Sequence, residues 1–154
     1  MYIILPNIRS VYNTASIFRT ADGAGVEKIF LCGTTPAPID RFNRERKDFA
    51  KVALGAEKTV AWEYGDDVRT VIEKLHGEGV DIVAVEQDDA SIEYTAYTPK
   101  NKTAFIFGEE TIGINKEVLD ASEAIIEIPM KGKKESLNVS VTAGIILFHY
   151  RDCD

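Results

Sequence analysis

Six short apolar runs limit what this chain can become: Tyr2 to Leu5, Lys28 to Cys32, Thr59 to Glu63, Asp81 to Glu86, Thr103 to Phe107 and Ala124 to Ile128. A strand with one wet face alternates apolar and polar residues. Ile82-Val-Ala-Val85 is instead continuous, as expected of a strand covered on both faces of a parallel sheet. The β-branched and aromatic content of the runs suits strands, and the stretches between them suit helices or loops. The pattern predicts an α/β class protein with six strands. Asn13 to Asp22 has helical spacing at Ile17, Phe18 and Ala21, with Asn13 as a cap and Gly23 and Gly25 as stop signals. Asp66 to Leu75 reads as a second helix, ended by Gly77 and Gly79.

The last stretch carries the strongest local signal. A strand over Ala124 to Ile128 runs into a basic loop, Pro129 to Glu135, which delivers Ser136 and Asn138 to the start of a helix reaching Tyr150. Either side chain could cap that helix, and free N–H groups at a helix start, with loop amides, can hold a small polar ligand. The helix is apolar on nearly every face. Val139, Ala143, Ile146 and Tyr150 form one stripe and Val141, Ile145 and Phe148 a second, so cover is expected from the sheet on one side and from a second subunit on the other.

At 154 residues and 45% hydrophobic content, the chain is sized for one domain over residues 1–154. No apolar run approaches the roughly 20 residues needed to cross a bilayer, and Tyr2-Ile-Ile-Leu5 lacks a basic leader, so a soluble, cytoplasmic protein is expected. Cys32 and Cys153 read as reduced thiols, and His76 and His149 stand apart, so no metal is expected. A formal net charge of −7 argues against a general nucleic-acid coat. Any RNA would have to land on a local basic patch. The stretch from Asp40 to Lys51 supplies one, with Arg41, Arg44, Arg46, Lys47 and Lys51, although a solvated surface helix with i,i+4 pairs would look the same. Arg9, Arg19, Lys131, Lys133 and Lys134 add to the basic side, whereas Glu86 to Glu93 is acidic.

Three segments carry chemistry. In Asn13-Thr-Ala-Ser-Ile-Phe-Arg19-Thr-Ala, Ser16 and Arg19 share a helix face; the arginine could also snorkel or pair with a carboxylate. In Phe105-Ile-Phe-Gly-Glu-Glu-Thr-Ile-Gly-Ile114, a strand ends on Gly108 before paired acids. Ligands of open α/β sheets collect at such carboxyl ends, and acids there also complement helix N-termini. The third segment is the loop from Ile128 to Asn138. Neither G-x-G-x-x-G nor G-x-x-x-x-G-K-[ST] occurs. A receiver-like module would want an acidic pair where Pro6-Asn7-Ile8-Arg9 stands, and a flavodoxin-like one a Ser/Thr-rich cradle.

Taken in order and at these separations, N-x-x-x-x-x-R-T-A, F-G-x-E-x-x-G-[LI] and I-P-M-x-G-x(3)-S-L-N-V-S-V resemble the signature of the SpoU/TrmH family of SPOUT RNA ribose methyltransferases. The resemblance spans nearly the whole chain. It implies a SPOUT-type parallel six-stranded sheet flanked by helices, a C-terminal deep trefoil knot, a homodimer, S-adenosyl-L-methionine as cofactor with S-adenosyl-L-homocysteine as product, and methyl transfer to a ribose 2′-hydroxyl. General topology rules would predict against a knot. By position, the resemblance implies cofactor contacts from Val85, Gly108, Ile128, Met130, Ser136 and Leu137. It implies catalytic or RNA-positioning roles for Asn13, Arg19, Glu110, Ser136 and Asn138.

A sulfonium methyl donor needs alignment of the nucleophile and removal of its proton, not a metal. Members of the family are often described with the first-segment arginine as general base. A neutral guanidinium at pH 7 would cost roughly 7 kcal/mol, at about 1.36 kcal/mol per unit from a pKa of about 12.5, so a charged Arg19 holding phosphate or ribose is preferred. The family's second segment commonly reads G-N-E-G-x-G-L; Glu109 and Thr111 depart from it, which bears on RNA contacts more than on the cofactor. With no appended RNA-binding domain expected, the dimer surface would recognise RNA, with tRNA preferred over rRNA and phosphate contacts from Arg9, Arg41, Arg44, Arg46 and the late-loop lysines. The competing readings are an rRNA 2′-O-methyltransferase, a non-catalytic cofactor- and RNA-binding dimer, and a receiver-like signalling module.

Overall fold

The computed structural model describes residues 1–109 and 111–153. Seven strands, β1 (Tyr2–Pro6), β2 (Lys28–Cys32), β3 (Ala61–Gly65), β4 (Asp81–Val85), β5 (Ile92–Glu93), β6 (Thr103–Phe107) and β7 (Ala124–Glu127), form one sheet in the order β3-β2-β1-β6-β4-β7-β5. Every pairing is parallel. Near the middle, β1 is flanked by β2, with Tyr2 opposite Lys28, and by β6, with Tyr2 opposite Ala104.

The six expected strands become seven because Ile92 and Glu93 pair with Ile126 and Glu127 at the sheet edge. Two exposed residues are too short for any periodic signal, and they sit in a stretch whose charge suggested surface. The third expected strand is shifted as well. Thr59 ends a short helix, α3 (Ala56–Thr59), and the strand begins at Ala61.

Continuous apolar runs place side chains on both faces. Ile3, Leu5, Ile29, Leu31, Val83, Phe105 and Phe107 point to one face and are buried beneath α1 (Val11–Ala24), α2 (Lys47–Ala53), α3 and α6 (Val139–Tyr150). Their neighbours Ile4, Phe30, Ile82, Ala84, Ala104 and Ile106 pack on the other face against α4 (Val68–Gly77) and α5 (Lys116–Asp120). This is the period-two alternation of a strand with both sides dry.

Helix boundaries follow their caps. Ser10 caps α1, its Oγ accepting from the Asn13 N–H at 3.2 Å, so Asn13 is not the cap but lies buried within the first turn. Gly25 ends that helix with φ 72°, the left-handed conformation glycine adopts without a Cβ penalty. Asp67 caps α4 by accepting from the Arg69 N–H. Asn138 caps α6, its Oδ1 accepting from the Ser140 N–H at 2.9 Å.

The stripe Val139, Ala143, Ile146 and Tyr150 of α6 is buried. At the far end, the Tyr150 ring stacks on Phe105 with centroids 4.9 Å apart, and its hydroxyl donates to the Tyr94 carbonyl. The second stripe faces outward, with Val141 49% and Phe148 45% exposed.

Candidate functional site

The loops leaving β4, β6 and β7 meet at the carboxyl ends of their strands and enclose a cavity of about 380 Å³. Its walls come from three separated segments: Val85 to Gln87 at the end of β4, Phe107 to Glu109 with Thr111 to Gly113 after β6, and residues such as Ile128, Met130, Ser136 and Leu137 after β7. Its volume falls within the range of small-molecule sites. All six residues expected to contact the cofactor, Val85, Gly108, Ile128, Met130, Ser136 and Leu137, line this one cavity. A second depression, beside Asn7, Cys32, Asp67 and Arg69, contains none of the expected site residues. Burial among apolar neighbours, with Asp67 and Glu63 nearby, pushes the Cys32 thiol up to about 12.

The second wall is held tightly. A Cβ on Gly108 would lie 2.6 Å from the Gly113 carbonyl carbon and 2.7 Å from the Ile114 nitrogen, so the loop folds back over this glycine in a way only a bare backbone permits. Gly113 has φ 74°, and a Cβ there would collide with the Glu86 carboxylate. That carboxylate accepts from the Ile114 N–H through Oε2 and from the Gln87 N–H through Oε1, both at 2.9 Å. Gln87 in turn donates from Nε2 to the Glu135 carbonyl at 2.7 Å. Two residues at the end of β4 thereby tie the second wall to the third. Sequence reasoning missed Glu86, which stands at the end of an expected strand and at the start of an acidic stretch.

Glu109 behaves differently from a free surface acid. Its side chain is 10% exposed, and Oε1 lies 2.6 Å from Arg9 Nη2 and accepts from the Thr111 hydroxyl at 2.8 Å. The two residues that depart from the family pattern therefore bond to each other, and Arg9 is drawn toward the cavity rim instead of standing unpaired for phosphate. Lys131, Lys133 and Lys134 are exposed and form no ion pair among the described residues.

Asn138 Nδ2 donates to Asn13 Oδ1 at 3.2 Å, joining the start of α6 to the first turn of α1. Ser136 lies at the cavity itself. Arg19 does not line the cavity; it sits on the exposed side of α1. Residues 12, 16, 19 and 23 form one stripe of that helix, and a Cβ on Gly23 would lie 3.5 Å from Phe148 Cζ, so this stripe runs beside the outward stripe of α6. Glu110 lies outside the described residues.

The carboxylates at this cavity suit a cationic ligand. Glu86, Glu109, Glu127 and Glu135 all contribute to its walls. Backbone N–H groups occupy Glu86 and Arg9 pairs with Glu109, while Glu127 and Glu135 form no ion pair among the described residues.

The chain is 29% identical over 148 residues to the 23S rRNA (guanosine-2′-O-)-methyltransferase RlmB of Ralstonia nicotianae, covering 96% of this chain and 57% of that protein. It is 27% identical over 146 residues to the tRNA (guanosine(18)-2′-O)-methyltransferase of Escherichia coli, covering 95% and 60%. Among solved structures, the AdoMet-bound rRNA methyltransferase from Sinorhizobium meliloti matches with a TM-score of 0.88 at 26% identity, covering 97% of this chain and 55% of that one. The chain thus spans less than two thirds of the length of these relatives. The model of the SpoU rRNA Methylase family matches residues 1–148, and with the sheet and glycine-closed cavity described above the chain belongs to that family.

Proposed function

We propose that this chain is the catalytic unit of an S-adenosyl-L-methionine-dependent RNA methyltransferase acting on a ribose 2′-hydroxyl, as its relatives' names describe for tRNA and 23S rRNA. One observation carries the reading. Six residues from three separate segments, expected as cofactor contacts by their place in the family pattern, converge on a single cavity of suitable size with acidic residues among its walls. The cofactor, when bound, supplies an electrophilic methyl group.

The remaining work falls to the chain. Gly108, Ile128 and Leu137 offer backbone donors and acceptors to the ligand, and Val85 and Met130 offer apolar walls. In this reading Asn138, held by its cap and by Asn13, and Ser136 at the cavity orient the ribose. Arg19 remains charged and binds phosphate or stabilises the oxygen as its proton leaves to another group or water. Glu110 joins this set by its place in the family pattern.

A homodimer completes the site. Tyr12 is 65% exposed beside the outward stripe of α6, and a second copy seated on this face covers Tyr12, Val141 and Phe148 and brings Arg19 into the interface between copies. The threading that returns α6 onto α1 after the β7 loop is taken to be a trefoil knot, in keeping with the family pattern. The substrate is taken to be tRNA in preference to rRNA, and the compartment the cytoplasm; no helix is long and apolar enough to cross a membrane among the described residues.

The test is methyl incorporation from labelled S-adenosyl-L-methionine into purified tRNA and rRNA, with mapping of the modified nucleotide. Transfer to a 2′-hydroxyl is expected, and Arg19→Lys should lose most of it because an ammonium cannot reproduce the planar fork. Cofactor binding with no transfer to either RNA would instead support a non-catalytic cofactor-binding protein.

A further inference from the structure

The turn between Ile39 and Glu45 presents an aromatic ring to solvent in an unusual setting. Of the seven phenylalanines, five are buried, Phe148 lies on the face assigned above to the second copy, and Phe42 alone is left exposed, at 60%, on a loop tip. Two guanidinium groups approach its ring, Arg41 at 4.8 Å and Arg44 at 5.0 Å from the centroid. Arg41 forms no ion pair among the described residues.

The tip is also rigid. The Asp40 carboxylate accepts from the Phe42 N–H at 2.8 Å, the Arg44 N–H at 3.1 Å and Arg44 Nε at 2.8 Å. Asp40 N–H donates to the Arg44 carbonyl and Asn43 N–H to the Asp40 carbonyl, with Asn43 at φ 59° turning the chain and Ile39 bridging Glu45 below. A tip held this way loses little freedom when it binds.

We infer that this turn is a stacking platform for an unpaired base of single-stranded RNA, with Phe42 offering its ring and Arg41 and Arg44 the adjoining phosphate and guanidinium contacts. The choice of RNA rests on the function proposed above. The chemistry of the tip selects the single strand, since every base has a π-face that stacks on an aromatic ring or a guanidinium plane, and a base inside a duplex has already spent that face on its neighbours. Arg44 is paired with Asp40 at 2.7 Å and offers a guanidinium plane, whereas Arg41, unpaired among the described residues, carries a charge beside the ring for phosphate on a chain whose net charge is −7.

Its place in the fold agrees with such a role. The loop leaves the carboxyl end of β2, the same end of the sheet as the cavity loops. Thr35 binds it to the neighbouring loop, its Oγ1 accepting from the Ile8 N–H at 2.9 Å and donating to the Leu5 carbonyl at 2.6 Å. The next residue on that neighbouring loop is Arg9, which reaches the cavity rim.

The experiment is fluorescence anisotropy with a labelled uridine oligonucleotide and with an RNA duplex, for the intact chain and for Phe42→Ala, Phe42→Leu and Phe42→Trp. Thermal unfolding and calorimetry with S-adenosyl-L-homocysteine accompany each variant. Alanine and leucine should each weaken single-strand binding roughly tenfold, tryptophan should preserve it, and duplex and cofactor affinities should stay level. Single-strand affinity unchanged in Phe42→Ala, or fully kept by Phe42→Leu, would overturn the proposal and leave the tip as an apolar contact for a protein. A wild-type chain that ignores the oligonucleotide overturns it too. Failure here with methyl transfer intact touches only the tip, whereas Phe42-dependent binding without transfer touches only the proposed activity.

Discussion

Asn138 donates to Asn13 across 3.2 Å, and with the same side chain caps the last helix of the fold. One residue therefore sets both where α6 begins and how it meets α1. The two duties separate by substitution. Asn138→Asp keeps an oxygen to accept from the Ser140 N–H but sets oxygen against Asn13 Oδ1, whereas Asn138→Ala loses both. Alanine should cost about 1–2 kcal/mol of stability and aspartate less, while both should lose most methyl transfer. Thermal unfolding beside single-turnover methylation checks this; an aspartate variant of full activity would remove Asn138 from the site.

Arg9 and Glu109 form an ion pair at 2.6 Å, and on the function proposed above its strength should set RNA affinity. Glu109→Gln removes the charge that holds Arg9 at the cavity rim and frees a cation for phosphate. RNA binding should tighten several-fold, and the slope of log affinity against log salt should steepen by about 1. A salt series read by anisotropy measures both, and an unchanged slope would mean that Arg9 never reaches the backbone.

Glu86 organises the cavity without belonging to the family pattern. Glu86→Gln retains an oxygen for the Ile114 N–H, and Glu86→Ala leaves that N–H and the loop after Gly108 without it. Alanine should weaken S-adenosyl-L-homocysteine roughly tenfold by calorimetry, with glutamine intermediate. Gly113→Ala, which adds a Cβ at φ 74° against that carboxylate, should weaken the cofactor at least as much.

Acid should loosen the N-terminal half of the sheet. Lys102 at 2.6 Å and the terminal ammonium at 2.8 Å hold the Glu27 carboxyl below its usual range, and Lys74 and Lys28 do the same for Glu63. A carboxylate with a lowered folded pKa contributes its stability above the unfolded value near 4.5, and loses it as pH falls through the folded one. Both acids are substantially solvated, so each contributes under about 1 kcal/mol and less at high salt. The unfolding temperature should be level down to about pH 5 and then fall, and Glu27→Gln should flatten part of that fall.

Much of this architecture is legible because burial on both faces writes itself into a strand as an unbroken apolar run, as in Ile82 to Val85. The cavity was legible for a related reason, since its walls sit where strands end, and Gly108 and the loop at Ile128 carry glycine and proline that mark those ends. Local polar competition hid the rest. Asn13 looks like a helix cap until Ser10, three residues earlier, takes that role and releases its side chain toward Asn138. The stretch from Asp40 resembles a surface helix because Asp40 and Arg44 have the spacing of a helical ion pair. Their pair is real, but it closes a turn, and the helix starts only at Lys47. Ile92 and Glu93 are too few for a pattern, and the use of Glu86 depends on a backbone amide 28 residues away.

The strand order has a consequence for synthesis. β1 pairs on one side with β2, which follows within thirty residues, and on the other with β6, whose first residue is Thr103. As the chain leaves the ribosome, the first three strands can assemble while the opposite edge of β1 stays open for roughly a further 2–8 s, at about 5–20 residues per second. That edge runs along Tyr2 to Ile4, and Ile3 and Ile4 are fully buried in the finished sheet, so the nascent half-sheet is a stage at which a chaperone has an apolar edge to protect.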